Sequence, residues 1–405
     1  MSAIATIALA TLIGAPTTPS QSPPVPDPKL GELVKKLGDK SYRVREQAAR
    51  QLLLRGSNSV AALTQGTKDT DPEVSERCRQ LLPQAAAIER NEKLAALVKD
   101  PSAPPPKGLA GLERFLKITG DDKAARELYA ELLGIHHFTL ETAEKDPRKA
   151  SEEFQRFCDE AYNKWQVSIR TGRYSYDNLL SNRTDIAYFL FISSDSRVRK
   201  NDNGINRSNI LLNGNSIPNA INDKGSPALR KLFLDWLENE PQYYLQSRGF
   251  QMAAQAGVKE ALPVALRLLD KKSREPYSHA QVLLSLVKLG SKEHIPVVEK
   301  YLDDKTVVTT VNFGNGPAMT VQLRDVALGT AVQLAGQKTT DYGFDNRFGG
   351  GGNQLYYYYY GFADDKNRDE AHAKWKKWAA ENLHSGPVEK APAPRSVEPK
   401  IPEKK

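Results

Sequence analysis

The sequence predicts a mostly α protein: an α-α superhelix, or solenoid, of stacked helix pairs with one inserted β-hairpin. Three observations lead there. Apolar residues recur at the 3.6-residue helical period through most of the chain. Asp-Pro dipeptides, at Asp71-Pro72 and Asp146-Pro147, place a capping acid before a proline at the first helical position. The turns also return at a near-constant spacing, 71 − 39 = 32 residues from Asp39 to Asp71 and 303 − 270 = 33 from Asp270 to Asp303. Each such unit is a helix pair whose apolar face is buried only when a neighbour stacks on it.

Taken in order, Ala3 to Ile13 (AIATIALATLI) is an uncharged apolar run of eleven residues that ends at Gly14-Ala15. It is too short to cross a bilayer as a helix and matches the apolar core of a secretory signal, although no Lys or Arg precedes it. Residues 1–15 are therefore expected to be a signal peptide and the protein to be exported, periplasmic or extracellular. Residues 16–28 hold six prolines in thirteen and are expected as an extended linker. No other stretch approaches the roughly 18 apolar residues of a transmembrane helix, so the mature chain is expected to have none.

Residues 29–98 are expected to form N-terminal helix pairs, because Val44, Ala48, Ala49, Leu52 and Leu53 share one helix face, as do Val74, Cys78, Leu81 and Leu82. Residues 99–108, with Pro101, Pro104, Pro105 and Pro106, are expected as a second linker. Residues 109–383 carry the larger array, with helices expected to be short and separated by tight turns. Phe154, Phe157, Cys158, Ala161, Tyr162 and Trp165 make a wide aromatic stripe, and the helix from Ala280 to Leu289 is apolar on nearly all sides, as expected for an element covered on both flanks. The runs on either side of Gly314-Asn315-Gly316 are rich in β-branched residues and predict a hairpin over 306–323. Residues 341–362, with GGGG at Gly349 to Gly352 and YYYYY at Tyr356 to Tyr360, are expected as a long loop, and the Asn-rich stretch Asn201 to Gly225 as irregular chain. Residues 384–405 hold five prolines in the last twenty positions and are expected to be a disordered tail.

The segment LDKKSREPYSHAQVLLSLVKLGSKEHIPVVEKYLDDK, Leu269 to Lys305, resembles a HEAT-like repeat, as does Leu37 to Leu82. Val321 to Phe344 and Ala371 to Leu383 resemble the C-terminal part of exported HEAT-repeat proteins of planctomycete bacteria, most of them uncharacterised. The clear matches cover about a quarter of the chain. This resemblance implies a scaffold or protein-interaction role with a protein or peptide partner, since stacked helix pairs make an extended surface whose partner is chosen by surface residues. It implies no cofactor and no particular partner.

Composition narrows the chemistry. The 57 Lys and Arg against 49 Asp and Glu leave +8 over 405 residues, a mild excess for a polyanion binder. Two cysteines exclude a disulfide scaffold, a four-thiolate zinc site and an iron–sulfur cluster held wholly by cysteine. Cys78 and Cys158 fall in apolar stripes and are expected as core residues; a disulfide between them is not decided by sequence. None of the six histidines forms a pair at helical metal-ligand spacing, His136 and His137 being adjacent. There is no G-x-S-x-G or P-loop pattern, and the pairs Asp121-Asp122, Asp303-Asp304 and Asp364-Asp365 sit where Asp caps helices or turns. No metal, cofactor or catalytic residue is therefore expected.

Two surfaces stand out. Arg170, Arg173, Arg183, Arg197, Arg199, Lys200 and Arg207 are interleaved with Tyr174, Tyr176, Tyr188, Phe189 and Phe191; the basic side chains suit a polyanion, while Tyr188, Phe189 and Phe191 read as core of a helix beginning near Thr184. Tyr356, Tyr357, Tyr358, Tyr359 and Tyr360 cannot all be buried by either periodicity, so some present ring faces outward. The expected interaction surface is those five tyrosines with Arg170, Arg173, Arg197 and Arg199. The expected function is a non-enzymatic scaffold of the bacterial cell envelope, with nucleic acid not expected as a partner. Polyanion binding and a HEAT-like bilin lyase are the alternatives.

Overall fold

The computed structural model describes residues 28–172, 179–180, 182–222, 224–270, 275–312, 318–344 and 356–383. The leader at 1–15, nearly all of 16–28, the turn Gly314-Asn315-Gly316, Gly349 to Gly352, Arg173, Tyr174, Tyr176 and the tail at 384–405 lie outside the described residues. Those described are mostly helical, with 17 α-helices and one two-strand antiparallel sheet. The chain divides into two compact units, Met1–Asp100 with Pro105–Leu109 and Pro101–Pro104 with Ala110–Lys405.

The first unit holds α1 (Pro28–Lys35), α2 (Tyr42–Leu54), α3 (Val60–Gly66) and α4 (Pro72–Lys99). Asp71 caps α4 through Oδ1, which accepts from the Glu73 amide at 2.9 Å and the Val74 amide at 3.4 Å, and Pro72 supplies the first helical residue. The two anticipated stripes face one aliphatic core of Leu37, Ala48, Leu52, Leu63, Val74 and Cys78. Helix α4 runs 28 residues, straight past Pro83, and so is not short. Pro83 costs one ladder hydrogen bond, but Leu81, Ala85, Leu94 and Leu97 are buried on both sides of it, and that packing carries the helix through.

The second unit begins with α5 (Leu112–Thr119), α6 (Lys123–Lys145), α7 (Pro147–Arg170) and α8 (Arg183–Ser193). Helices α6 and α7 are also long, 23 and 24 residues. They meet at Asp146, whose carboxylate accepts from the Arg148 amide at 3.0 Å and starts α7. Helix α6 bends at His136, where the backbone leaves helical geometry (φ −108°, ψ 24°). Helix α8 is buried on every side, with Tyr188, Phe189 and Phe191 in the core as their sequence context implied. The Asn-rich stretch, expected as irregular chain, instead forms α9 (Asp202–Leu211) and α10 (Ser216–Ile221). Asparagine there is a cap: Asn201 Oδ1 accepts from the Gly204 amide at 2.8 Å and opens α9.

The chain continues through α11 (Pro227–Asn239), α12 (Tyr243–Ala256), α13 (Leu262–Leu269), α14 (Pro276–Leu289) and α15 (Ile295–Glu299). Strand β1 (Val307–Val311) then pairs antiparallel with β2 (Met319–Gln322), setting Val311 opposite Met319 and Thr310 opposite Thr320, with an irregularity between Val307 and Thr309. Phe362 bridges to Thr320 beside β2, through hydrogen bonds of 3.0 and 3.2 Å. Helices α16 (Leu323–Leu334) and α17 (Asp365–Asn382) complete the unit. Helix α12 lies against α14 and α14 against α16, while α13 packs on α14, and α15 and α17 on α16. Helix α14 is buried almost all round, from Ser278 to Leu286, because it is covered on both flanks.

Candidate interaction surface

The tyrosine run is pinned at its end. Tyr360 is 2% exposed, its hydroxyl accepts from Gln333 Nε2 at 2.7 Å, and its ring lies on Gly329 of α16. A methyl group on Gly329 would sit 2.2 Å from that ring, so only glycine lets Tyr360 in. Tyr357–Tyr359 then form one 3-10 turn, which points Tyr356, 45% exposed, toward solvent. The Tyr356 and Tyr358 rings stack at 5.3 Å between centroids, and Tyr358 meets Tyr359 at 4.5 Å.

This cluster continues onto two helices. The Tyr357 ring meets Tyr277 edge-on at 5.0 Å, and Tyr277 meets Tyr244 at 5.6 Å. Tyr244 and Tyr277 lie in the first turns of α12 and α14, and their separation, 277 − 244 = 33, equals the turn-to-turn spacing of the helix pairs. Three distant segments thus build one track of half-buried rings. Sequence reading located its last part, Tyr356 to Tyr360, and missed Tyr244 and Tyr277. The signal was the 33-residue spacing of tyrosines at helix starts that follow a proline, Pro241 and Pro276.

Arg248, one turn into α12, sits beside the track. Its guanidinium donates to Gln251 Oε1 and Asn213 Oδ1, both neutral, and no carboxylate among the described residues forms an ion pair with it. Burial pushes Tyr277 up to about 12, the positive charge of Arg248 opposing it, and burial likewise raises Tyr357. Tyr358 is raised by burial and by the neighbouring Tyr359 hydroxyl. The track thus presents ring faces and hydroxyls beside a cation that pairs with no carboxylate among the described residues.

The four arginines expected to join the tyrosines are dispersed. Arg170 is exposed at the last residue of α7, whereas the Arg199 amide donates to Ser151 Oγ at 3.0 Å near the start of that helix. The rise of an α-helix separates those two positions by about 29 Å. Arg197 is held by Asp195 through two hydrogen bonds, 3.0 and 2.7 Å, and Arg173 lies outside the described residues. Arg207 is also engaged: its guanidinium lies 3.5 Å over the Tyr162 ring and pairs with Asp159 at 3.1 Å.

The other groups singled out by sequence have structural partners. Asp122 and Asp364 cap α6 and α17, Asp121 pairs with Arg126, and Asp304 accepts from the Thr306 amide at 2.9 Å. Cys78 and Cys158 are buried free thiols, pushed up to about 11 and about 12 by burial. Among the described residues no three His, Cys, Asp or Glu side chains come together as metal ligands, and no helix is long and apolar enough to cross a membrane.

A half-open cleft of about 510 Å³ lies beside α17, with Tyr342, Phe362 and Ala371 in its floor and Asp341, Glu370 and Lys374 at its rim. Lys374 is already engaged there, donating to the Asp341 carbonyl at 2.5 Å and lying 5.1 Å from the Tyr342 ring centre. The chain matches no protein-family model, and no curated protein matches it.

Proposed function

We propose that the protein is a non-enzymatic scaffold of the bacterial cell envelope, a HEAT-like solenoid that binds a protein or peptide partner through the tyrosine track. The observation that carries this reading is the assembly of Tyr244, Tyr277 and Tyr357 from three segments into contiguous rings beside Arg248, which pairs with no carboxylate among the described residues. Tyrosine supplies contact area at low entropic cost, and aromatic residues and arginine are the types that dominate binding energy at interfaces. The row α12, α14, α16, each backed by a shorter or outer helix, supports the repeat reading, as does the 33-residue recurrence of tyrosine at helix starts. The apolar leader, and the resemblance of Val321 to Phe344 and Ala371 to Leu383 to exported HEAT-repeat proteins, support the envelope assignment.

The test is capture from an extract of the source cells on the immobilised full chain, compared with a Tyr244→Ser, Tyr277→Ser, Tyr357→Ser variant shown to melt normally. A discrete protein partner retained at 0.5 M salt and reduced at least tenfold on the variant is the expected result. No retained protein, or an identical set on both, overturns the reading. Retention that collapses between 0.1 and 0.3 M salt would instead favour polyanion binding.

A further inference from the structure

We propose that Tyr244, Tyr277 and Tyr357, with Arg248, form a docking site for an extended, proline-rich segment of a partner protein that carries a carboxylate beside its prolines. The proposal rests on the scaffold reading and names the chemistry of the partner.

An extended proline helix has no internal hydrogen bonds, so its carbonyls need donors from whatever it binds, and its pyrrolidine rings lie flat on aromatic faces. The track offers both. Burial raises Tyr277 and Tyr357 further above neutrality, and a protonated phenol donates to carbonyls. The geometry also fits the repeat of that helix. Ring centres step by 5.6 Å from Tyr244 to Tyr277 and by 5.0 Å from Tyr277 to Tyr357. The outer rings are therefore at most about 10.6 Å apart, a span within reach of one turn of a proline helix, about 9.3 Å for three residues. A preformed proline helix also loses little conformational entropy on docking, which suits a shallow track better than a flexible chain.

Charge selects the rest of the segment. Among the described residues Arg248 meets two neutral amides and the Tyr277 hydroxyl, and no carboxylate pairs with it. A guanidinium fixed by two amides beside an aromatic floor is complementary to a carboxylate on the incoming chain. A nucleic acid or other polyanion would draw on several cations tracking its backbone, and among the described residues the track supplies one, Arg248.

The test uses the full chain and fluorescein-labelled peptides read by anisotropy: APPEPPEPPA, the same peptide with every proline replaced by serine, and the same with every glutamate replaced by lysine. The expected result is binding of the first peptide, at least tenfold tighter than either substituted form. Tyr277→Ala or Tyr357→Ala should weaken it at least tenfold and Arg248→Ala about fivefold, while Arg248→Glu should invert the preference toward the lysine peptide. Tyr277→Phe, which keeps the ring and fills the same space, guards against misfolding and should lose a few-fold only. Equal binding of the proline and serine peptides, no saturation by 1 mM, or insensitivity to Arg248→Glu overturns the proposal. A captured partner that depends on the track but is not displaced by the first peptide would reject this chemistry while leaving the scaffold reading intact; a peptide that binds as described in the absence of any captured partner would do the reverse.

Discussion

Tyr243 and Tyr244 are neighbours on α12, both reach α14, and they enter opposite kinds of surroundings. Tyr243 turns inward, where its hydroxyl meets His279 Nδ1 at 3.1 Å, and His279 Nε2 meets the Tyr301 hydroxyl at 2.8 Å. Because Tyr301 donates its own proton to the Leu269 carbonyl, its oxygen accepts from His279 Nε2–H, and this network assigns Nδ1 as the acceptor for Tyr243. Around the buried His279 each of these donors has an acceptor. Tyr244, half-buried like Tyr243, joins Tyr277 and Tyr357 beside an arginine that pairs with no carboxylate among the described residues. One residue type on the same two helices thus serves stability where its hydrogen bonds are closed and stays available for a partner where they are open.

The comparison is sharpest where a closed interior set is opened. Arg368 of α17 is fully buried and donates to both oxygens of Asp325, at 2.9 and 3.2 Å, and to the Thr320 carbonyl at 2.9 Å, besides pairing with Asp365. Asp325 is itself 0% exposed and accepts from the Gln322 amide at 2.8 Å at the start of α16. Arg368→Leu leaves that carboxylate buried without its cation and should destabilise the fold by about 3–5 kcal/mol. Denaturant melts followed by circular dichroism measure it, and a loss under 1 kcal/mol would show that the buried network is not closed as described.

His279→Leu is the next largest effect, because it removes the ring nitrogen that accepts from Tyr243 and the one that donates to Tyr301, rather than the partner of a charge. The expected loss is about 2 kcal/mol at pH 7.5. Burial holds the His279 pKa below its ordinary value of 6.5, with Asp304 opposing more weakly. Tyr243 and Tyr301 are the other titratable groups against the ring, and burial raises Tyr301. The unfolded chain therefore binds the extra proton first, and the stability of the native protein falls as pH drops through 6.5 toward the folded value. The slope contributed by this one residue is at most about 1.4 kcal/mol per pH unit. It should vanish in His279→Leu, so the stability gap between the two proteins should narrow from pH 7.5 to 5.5. A gap that stays constant or widens would mean that His279 is charged in the folded protein.

The same contrast explains what could be read from sequence. Local chemistry was legible: the Asp71 and Asp146 caps, the all-round apolar α14, the strands of 306–323 and the core role of Tyr188, Phe189 and Phe191 each depend on residues within a few positions of one another. Helix length was not: Leu94 and Leu97 are buried beyond Pro83, and that packing carries α4 on to Lys99. The Asn-rich stretch reads as loop because asparagine favours turns and helix caps alike, and only the Gly204 amide shows which role Asn201 takes. The track was half legible. Five consecutive tyrosines announce themselves, but Tyr244 and Arg248 join them only through the stacking of α12 on α14.

The smallest expected effect is the one that tests whether the outer set is open. Arg248 donates to the half-exposed Gln251 and the exposed Asn213, groups that water satisfies equally well when the guanidinium is removed. Arg248→Ala should therefore change folding stability by no more than about 0.5 kcal/mol, an ordinary value for a surface position. Tyr277→Phe should behave alike, since the ring contacts with Tyr244 and Tyr357 survive loss of the hydroxyl. Both are read from the same denaturant melts that report Arg368→Leu. A loss above about 1.5 kcal/mol in Arg248→Ala would place that arginine with Arg368 as a structural cation, and the distinction between a closed interior and an open surface would fail at the position where it matters most for binding.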